Sequence, residues 1–421
     1  MSLRTAFKYS IIESIFSRGF DLVTLWLVLS SLPNADISKF GLATASISFF
    51  NFAFFSPETS LLRLQKIWQE EETLSSYLST FIIFSISKIL IHLVMFLIAG
   101  LYFGFNHWSI YAIGFSAITQ QIQNSEIARI YLRMDLQQKY VAKFEIISKF
   151  LLLGLCSALL FIPNLTLYFS IFFVWSVLAS VYWITSLNKR VMLHVVSFST
   201  FLNNLRKSAM GYATWTHIIG VLANFISNSS ILFLAMFSVN DDLIALYTGA
   251  LRINNLQMTL PMLLAAFVPV VLANSGAESE RVFNKIVFAN AAFSILQTVV
   301  FLALASYLAT LFGYREVERD FYILCAIMSC GLLLVNLTRP LNQYSMINEF
   351  PARALFFVFV PSAIFAAGAF YLGVWLGGIQ GLAWSVTTAY AFLSFLQLIA
   401  FFRTKRNKTK NTIYSTEKER G

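Results

Sequence analysis

Apolar runs long enough to cross a bilayer follow one another along almost the whole of this chain. A spanning helix needs about 20 mostly apolar residues. Read by such windows, the sequence predicts twelve: 10–32, 40–62, 74–103, 108–128, 142–162, 165–187, 209–238, 242–273, 286–312, 320–338, 353–375 and 379–402. Several links between them are very short, such as FNH at 105–107, IPN at 162–164 and LGG at 376–378. Only 12% of the residues are charged and 58% are hydrophobic, whereas a soluble protein carries about 25% charged residues. That leaves too little polar surface to coat a water-soluble globule. The expected fold is an all-α polytopic membrane protein.

The net charge of +10 would suggest a nucleic-acid partner in a soluble protein, so the position of the cations matters. On the twelve-helix reading, 23 of the 30 basic residues fall on the side of the N-terminus. Three (Lys39, Arg315 and Arg319) fall on the other side, and four (Arg18, Lys88, Lys149 and Arg252) lie within helices. Cytoplasmic loops carry the excess of Lys and Arg, so both termini are expected in the cytoplasm and no nucleic acid is needed. Glu13, Arg18 and Asp21 interrupt the first apolar run and no small-residue cleavage site follows. The first segment is therefore expected to remain as a helix rather than be removed as a signal peptide. Cys156, Cys325 and Cys330 lie in apolar segments without metal-ligand spacing, so neither disulfides nor a metal are expected. There is no Walker A, dinucleotide, HExxH or GxSxG motif, so no ATP-driven step and no enzymatic activity are expected.

The helices divide into two sixes. Residues 1–187 and 209–402 form the expected bundles around a central cavity, 188–208 is a polar cytoplasmic linker, and 403–421 is a basic tail expected to be disordered and to rest on anionic lipid. At an offset of 210 residues, Arg129-IYLRMDLQQKYVA-Lys143 lines up with Arg339-PLNQYSMINEFPA-Arg353, as expected of transporters built from related halves. The fourth helix carries Gln120, Gln123, Asn124 and Glu126, and the tenth Asn336, Asn342, Gln343 and Asn348. Such side chains are costly in lipid unless they face other helices or a watery cavity.

Charges inside the helices carry the functional signal. Arg18 and Asp21 are three apart and share a helix face. Two readings stay open: a self-neutralised or snorkelling arginine about 12 Å from the headgroups, or a cavity cation oriented by Asp21. In the eighth helix Thr248, Arg252, Asn255 and Thr259 form a continuous polar stripe at i, i+4, i+7 and i+11. No acidic residue lies within a turn of Arg252, and it is about 15 Å or more from either helix end. Its partner must come from another helix, water or a ligand, which makes it a functional candidate. Pro261 and Pro269 predict bends in the same helix. In the seventh helix His217, Asn224 and Asn228 share a face, with His217 either a titrating group or a hydrogen-bonded core histidine. Lys88 and His92 are i, i+4 in the third helix, and Lys88 is a second candidate cavity cation. Glu145 and Lys149, i, i+4 in the fifth, read mainly as a structural pair. A cavity lined by Arg18, Lys88 and Arg252, with Asn224, Asn228 and Asn255 as further substrate contacts, suits an anion. Asp21, Glu126 and His217 are candidates for coupling or for orienting charge.

With its two halves and its cations on helices 1 and 8, the chain resembles the polysaccharide and O-antigen flippases of Wzx type, in the multidrug/oligosaccharidyl-lipid/polysaccharide (MOP) exporter superfamily. SSLPNADISKFGLATASIS, DLIALYTGALRIN, LFGYREVERDFYILCAIM and LGGIQGLAWSVTTAYAFL carry the resemblance. It implies a substrate of undecaprenyl-pyrophosphate-linked oligosaccharide, moved by alternating access across a bacterial inner membrane, with no cofactor beyond a coupling proton or sodium ion. It also implies association with polysaccharide polymerase machinery. Arg18 and Arg252 match, by helix, arginines of the related lipid II flippases. A further arginine those relatives carry on helix 2 has no counterpart, because Arg63 lies at a helix end, and Lys88 stands in for it. Two alternatives stand beside this reading: a cation-coupled multidrug exporter, which calls for embedded carboxylates, and a membrane polymerase or glycosyltransferase, which calls for a large outer loop.

Overall fold

The computed structural model of the chain describes residues 3–418 apart from 54, 56, 136, 209–212, 266–267 and 269–278. All regular structure among the described residues is helical. The chain forms two compact units, Met1–Val221 and Leu222–Gly421. Among the described residues five helices are long and apolar enough to cross a membrane: Leu74–Phe103, Leu165–Val191, Glu280–Leu311, Arg315–Asn348 and Pro351–Asn407. A sixth qualifies if the bent pair Thr214–Asn228 and Ser230–Met236, at 58°, is one span.

In the first unit the helices are α1 (Leu3–Ser31), α2 (Asn34–Ala53), α3 (Leu61–Glu70), α4 (Leu74–Phe103), α5 (Trp108–Met134), α6 (Gln138–Cys156), α7 (Leu165–Val191) and α8 (Phe198–Ser208), followed by the start of α9 (Thr214–Asn228). Short links are possible because single side chains close the helix ends. The His107 ring accepts from the Ser109 amide ahead of α5, and Asn164 Oδ1 accepts from the amides of Thr166 and Leu167 at the start of α7. Each satisfies donors that an unfinished helix leaves open. At the end of α4, Gly104 has φ 79°, which a side chain would resist.

Helix α5 packs against α2, α3, α4, α6 and α7 and is the centre of this unit. That position explains its polar residues. Ser116 Oγ meets His92 Nε2 at 2.8 Å, and Gln120 Nε2 donates to Asn51 Oδ1 at 3.4 Å. A side chain surrounded by helices finds partners that lipid cannot offer.

Two sequence expectations change here. The span expected at 40–62 ends at Ala53, and Pro57–Ser60 forms a 3₁₀ turn before the amphipathic α3. Trp68 of α3 is buried and stacks on Tyr77 at 3.9 Å between centroids, so this segment belongs to a core and not to a span. The linker expected over 188–208 is largely helical: α7 continues to Val191 and α8 follows. Asn204 donates to Ser76 and Thr80 hydroxyls, both at 3.0 Å, and ties α8 to α4. The boundary between units therefore falls within α9, between Val221 and Leu222.

The second unit takes the end of α9, then α10 (Ser230–Met236), α11 (Asp241–Asn254), α12 (Thr259–Ala265), α13 (Ser279–Leu311), α14 (Glu318–Asn348) and α15 (Val360–Lys418). Its centre is α14, which packs against α11, α12, α13 and α15. A Cβ on Gly331 of α14 would come within 2.7 Å of Thr387 Cα, so this helix pair approaches backbone to backbone. Helix α15 is two helices joined at Gly377 and Gly378, the latter with φ 55°. Beside that turn Gly373 and Gly381 touch; a Cβ on Gly381 would lie 2.1 Å from the Gly373 carbonyl oxygen. The tail, expected to be disordered, continues as helix to Lys418; residues 403–418 contain neither Pro nor Gly to stop it.

Candidate functional site

In the first unit the helix charges form a network across three helices. Asp21 of α1 receives Lys149 of α6 at 2.6 Å and lies 3.9 Å from Arg18. Glu145 pairs not with Lys149 but with Arg129 of α5, at 3.0 Å. This corrects the expected i, i+4 pair. Helix α1 packs on α6 and brings Asp21 to Lys149, while Glu145 faces α5. Glu126 contacts Arg129 closely and Arg133 at 3.3 Å. Glu13, buried in α1, accepts from Arg133 at 2.7 Å and from Gln138 Nε2 at 2.6 Å. Four carboxylates thus meet four cations.

Sequence reasoning missed Glu13, Arg129, Arg133 and Gln138 as members of this network. The signal was present: Glu126, Arg129 and Arg133 fall at i, i+3 and i+7, one face of α5. Arg18 stands at the rim, with its side chain 52% exposed.

Lys88 is buried near the middle of α4. Its ammonium donates to the Phe55 carbonyl at 3.0 Å and to Gln123 Oε1 at 3.4 Å, both neutral oxygens, and lies 5.2 Å from the Phe84 ring centroid. Phe55 also touches His217 edge-on, with centroids 5.6 Å apart. Lys88 and His217 thus share a neighbour in the first unit. All three of His217, Asn224 and Asn228 lie on α9, with His217 in the first unit and the two asparagines in the second.

In the second unit Asn224, Asn228 and Asn255 do come together. Asn228 Nδ2 donates to Asn224 Oδ1 at 2.5 Å, and Asn255 Nδ2 reaches Asn228 Oδ1 at 3.5 Å. The continuous stripe expected in the eighth helix is broken, because α11 ends at Asn254 and Asn255–Met258 is a 3₁₀ turn before α12. Amides fix that break. Gln257 Nε2 donates to Asn254 Oδ1 at 2.5 Å and to Ser329 Oγ at 2.7 Å, and Asn336 Nδ2 donates to the Gln257 carbonyl at 3.0 Å. Arg252 therefore sits in the last turn of α11, where unsatisfied carbonyls and the negative end of the helix dipole favour a cation. Thr248 is buried. The side chain of Thr259 and the bend expected at Pro269 lie outside the described residues.

Arg339, counted as a helix-end charge in the sequence, lies within α14, nine residues before its end at Asn348. That is about 14 Å along the axis. It makes no ion pair among the described residues, and its Nε has no hydrogen-bond partner there. A half-buried guanidinium so placed can receive an anion bidentately.

No family model and no curated protein matches the sequence. Solved structures do match in three dimensions. An inward-facing multidrug resistance MATE family transporter of the MOP superfamily superposes with a TM-score of 0.63 at 12% identity, over 95% of this chain and 98% of that one. The lipid II flippase MurJ in an inward closed conformation gives 0.61 at 16% identity, over 97% and 92%. A MOP superfamily transporter from Pyrococcus furiosus, whose binding pocket is described as reversed in polarity, gives 0.65 at 14% identity, over 96% of each chain. At these identities the likeness is one of fold: the chain has the fold of MOP-superfamily transporters.

Proposed function

We propose that the chain is a twelve-span flippase of the bacterial inner membrane with both termini in the cytoplasm. It carries undecaprenyl-pyrophosphate-linked oligosaccharide repeat units, for O-antigen or another surface polysaccharide, from the cytoplasmic to the periplasmic leaflet by alternating access. The observation that carries this reading is Arg339, a cation within the central helix of the second unit and without a carboxylate partner among the described residues. Lys88, held by neutral oxygens, and Arg252, at the end of a broken helix, support it. A pyrophosphate headgroup is an anion that guanidinium and ammonium groups in a helical core can receive. Arg18, Arg252, Lys88 and Arg339 are assigned to the headgroup, and Asn224, Asn228 and Asn255 to the sugars. Polymerase machinery would take up the product.

The test is complementation. Arg18→Ala with Arg252→Ala, and Arg339→Ala alone, are expressed in a host lacking its repeat-unit flippase. Loss of surface polymer at normal protein levels is expected; full surface polymer from both would remove the reading.

A second reading, a cation-coupled multidrug exporter of the same fold, draws on the four carboxylates within the helices of the first unit. A proton or sodium ion would then act at Asp21, Glu126 or His217. Drug efflux from a sensitised host, lost on Glu126→Gln and independent of any polysaccharide pathway, would favour it.

A further inference from the structure

At the basic ends of α6 and α7 the first unit opens into a cavity of about 690 Å³ lined by Tyr140, Tyr182, Thr185, Ser186, Lys189 and Arg190. Its floor is a cluster of hydroxyls. Tyr140 Oη lies 2.5 Å from Tyr182 Oη and 2.8 Å from Ser186 Oγ. The Arg190 guanidinium lies over the Tyr140 ring, 5.4 Å from its centroid, and donates to Gln137 Oε1. Neither Lys189 nor Arg190 forms an ion pair among the described residues. Two cations with spare donors thus face hydroxyls that can donate as well, an arrangement suited to a phosphodiester.

Below the cavity the same helix faces turn apolar. On α6, Tyr140, Phe144, Ile147 and Leu151 follow at i, i+4, i+7 and i+11, and the last two are exposed. On α7, Val181, Leu178 and Val174 descend from Thr185 at the same spacing, all exposed. From Thr185 to Val174 is about 16 Å, close to the ~15 Å half-thickness of a bilayer's hydrocarbon core. In the second unit a cation likewise lies over a ring, Arg403 on Phe357 at 5.5 Å, but the cavity there also holds Glu349.

We propose that the α6–α7 cavity binds the headgroup of an anionic phospholipid from the leaflet at the basic ends of the helices, with its acyl chains along Ile147, Leu151, Val174, Leu178 and Val181. The site is separate from the residues assigned to transport and does not depend on that assignment. A free phosphate would satisfy the cations but has no use for the apolar faces beneath them.

The full chain, purified and delipidated, is titrated with phosphatidylglycerol, phosphatidylcholine or inorganic phosphate, and bound lipid is counted by native mass spectrometry. Phosphatidylglycerol is expected to bind, phosphatidylcholine to bind far less, and millimolar phosphate not to displace the lipid. Lys189→Gln with Arg190→Gln should weaken retention about thirtyfold, equivalent to about 2 kcal/mol for two surface cations. Tyr140→Phe should weaken it less, and Arg315→Gln with Arg319→Gln should leave it unchanged. Equal retention by the double variant, equal binding of phosphatidylcholine, or displacement by phosphate at matched concentration would each overturn the proposal. If the double variant does not accumulate, a photoreactive phosphatidylglycerol on the wild-type protein decides. Labelling within 140–151 or 174–190 supports the site; labelling confined elsewhere removes it.

Discussion

The two units place polar side chains on their central helices in opposite ways. Arg129 in α5 and Arg339 in α14 are 210 residues apart, the offset at which the two halves align. In the first unit Arg129 is clamped between Glu126 and Glu145. In the second, the positions 210 residues further on are Asn336 and Leu355, and Arg339 has no ion pair among the described residues. One arginine is neutralised by the fold and its counterpart is not. Matched buried charges fix how helices meet but add little net stability, because desolvation offsets their attraction. An unmatched cation has no such structural role, and its cost is left for something outside the fold to offset. At this pair of aligned positions the first unit spends its arginine on holding helices together, and the second leaves its arginine available to a group outside the fold.

Removing one partner from the matched network should have the largest effect. Arg129→Ala leaves Glu126 and Glu145 without their shared cation and should cost about 3–5 kcal/mol, seen as loss of folded protein in a thermal-melt assay. Arg339→Ala should melt close to wild type; equal destabilisation by the two variants would erase the contrast between the units. Converting one unit toward the other sharpens it. Asn336→Asp gives Arg339 the carboxylate that Arg129 has, and an ion pair of about 1.4 kcal/mol would lower anion occupancy tenfold. Surface polymer should fall; the melt should drop by about 1–3 kcal/mol as well, because the Gln257 carbonyl loses its Asn336 donor. Asn336→Leu, which loses the same donor without adding charge, should match that drop and keep the polymer. Replacing Arg129, Glu126 and Glu145 together with Met, Gln and Leu should be far milder than Arg129→Ala, within about 1–2 kcal/mol of wild type by the same melt, since no charge is stranded. The smallest effect is expected at Asn204→Ala, which removes the bonds from α8 to α4 and should cost about 1 kcal/mol, read as faster amide exchange across 198–208.

Much of this was legible in the sequence, because apolar length and the placement of Lys and Arg are coarse signals that survive almost any sequence drift. The membrane class and the alignment of Arg129 with Arg339 followed from them. Pairings between helices did not. Glu145 has Lys149 one turn away in sequence, yet bonds to Arg129, because which face of α6 meets α5 is settled by packing. The break after Asn254 was hidden for a similar reason. A window over 242–273 is apolar enough to read as one helix, and the 3₁₀ turn depends on Ser329 and Asn336, which lie more than 70 residues away. Arg339 looked like an end charge only because the tenth helix was expected to stop at 338, whereas α14 runs on to Asn348.

The glycine pair at 377–378, with Gly373 and Gly381 pressed together beside it, has a practical consequence. The two arms of this hairpin are buckled so closely that there is no slack for an epitope, a protease site or a fluorescent label. An insertion there should abolish expression.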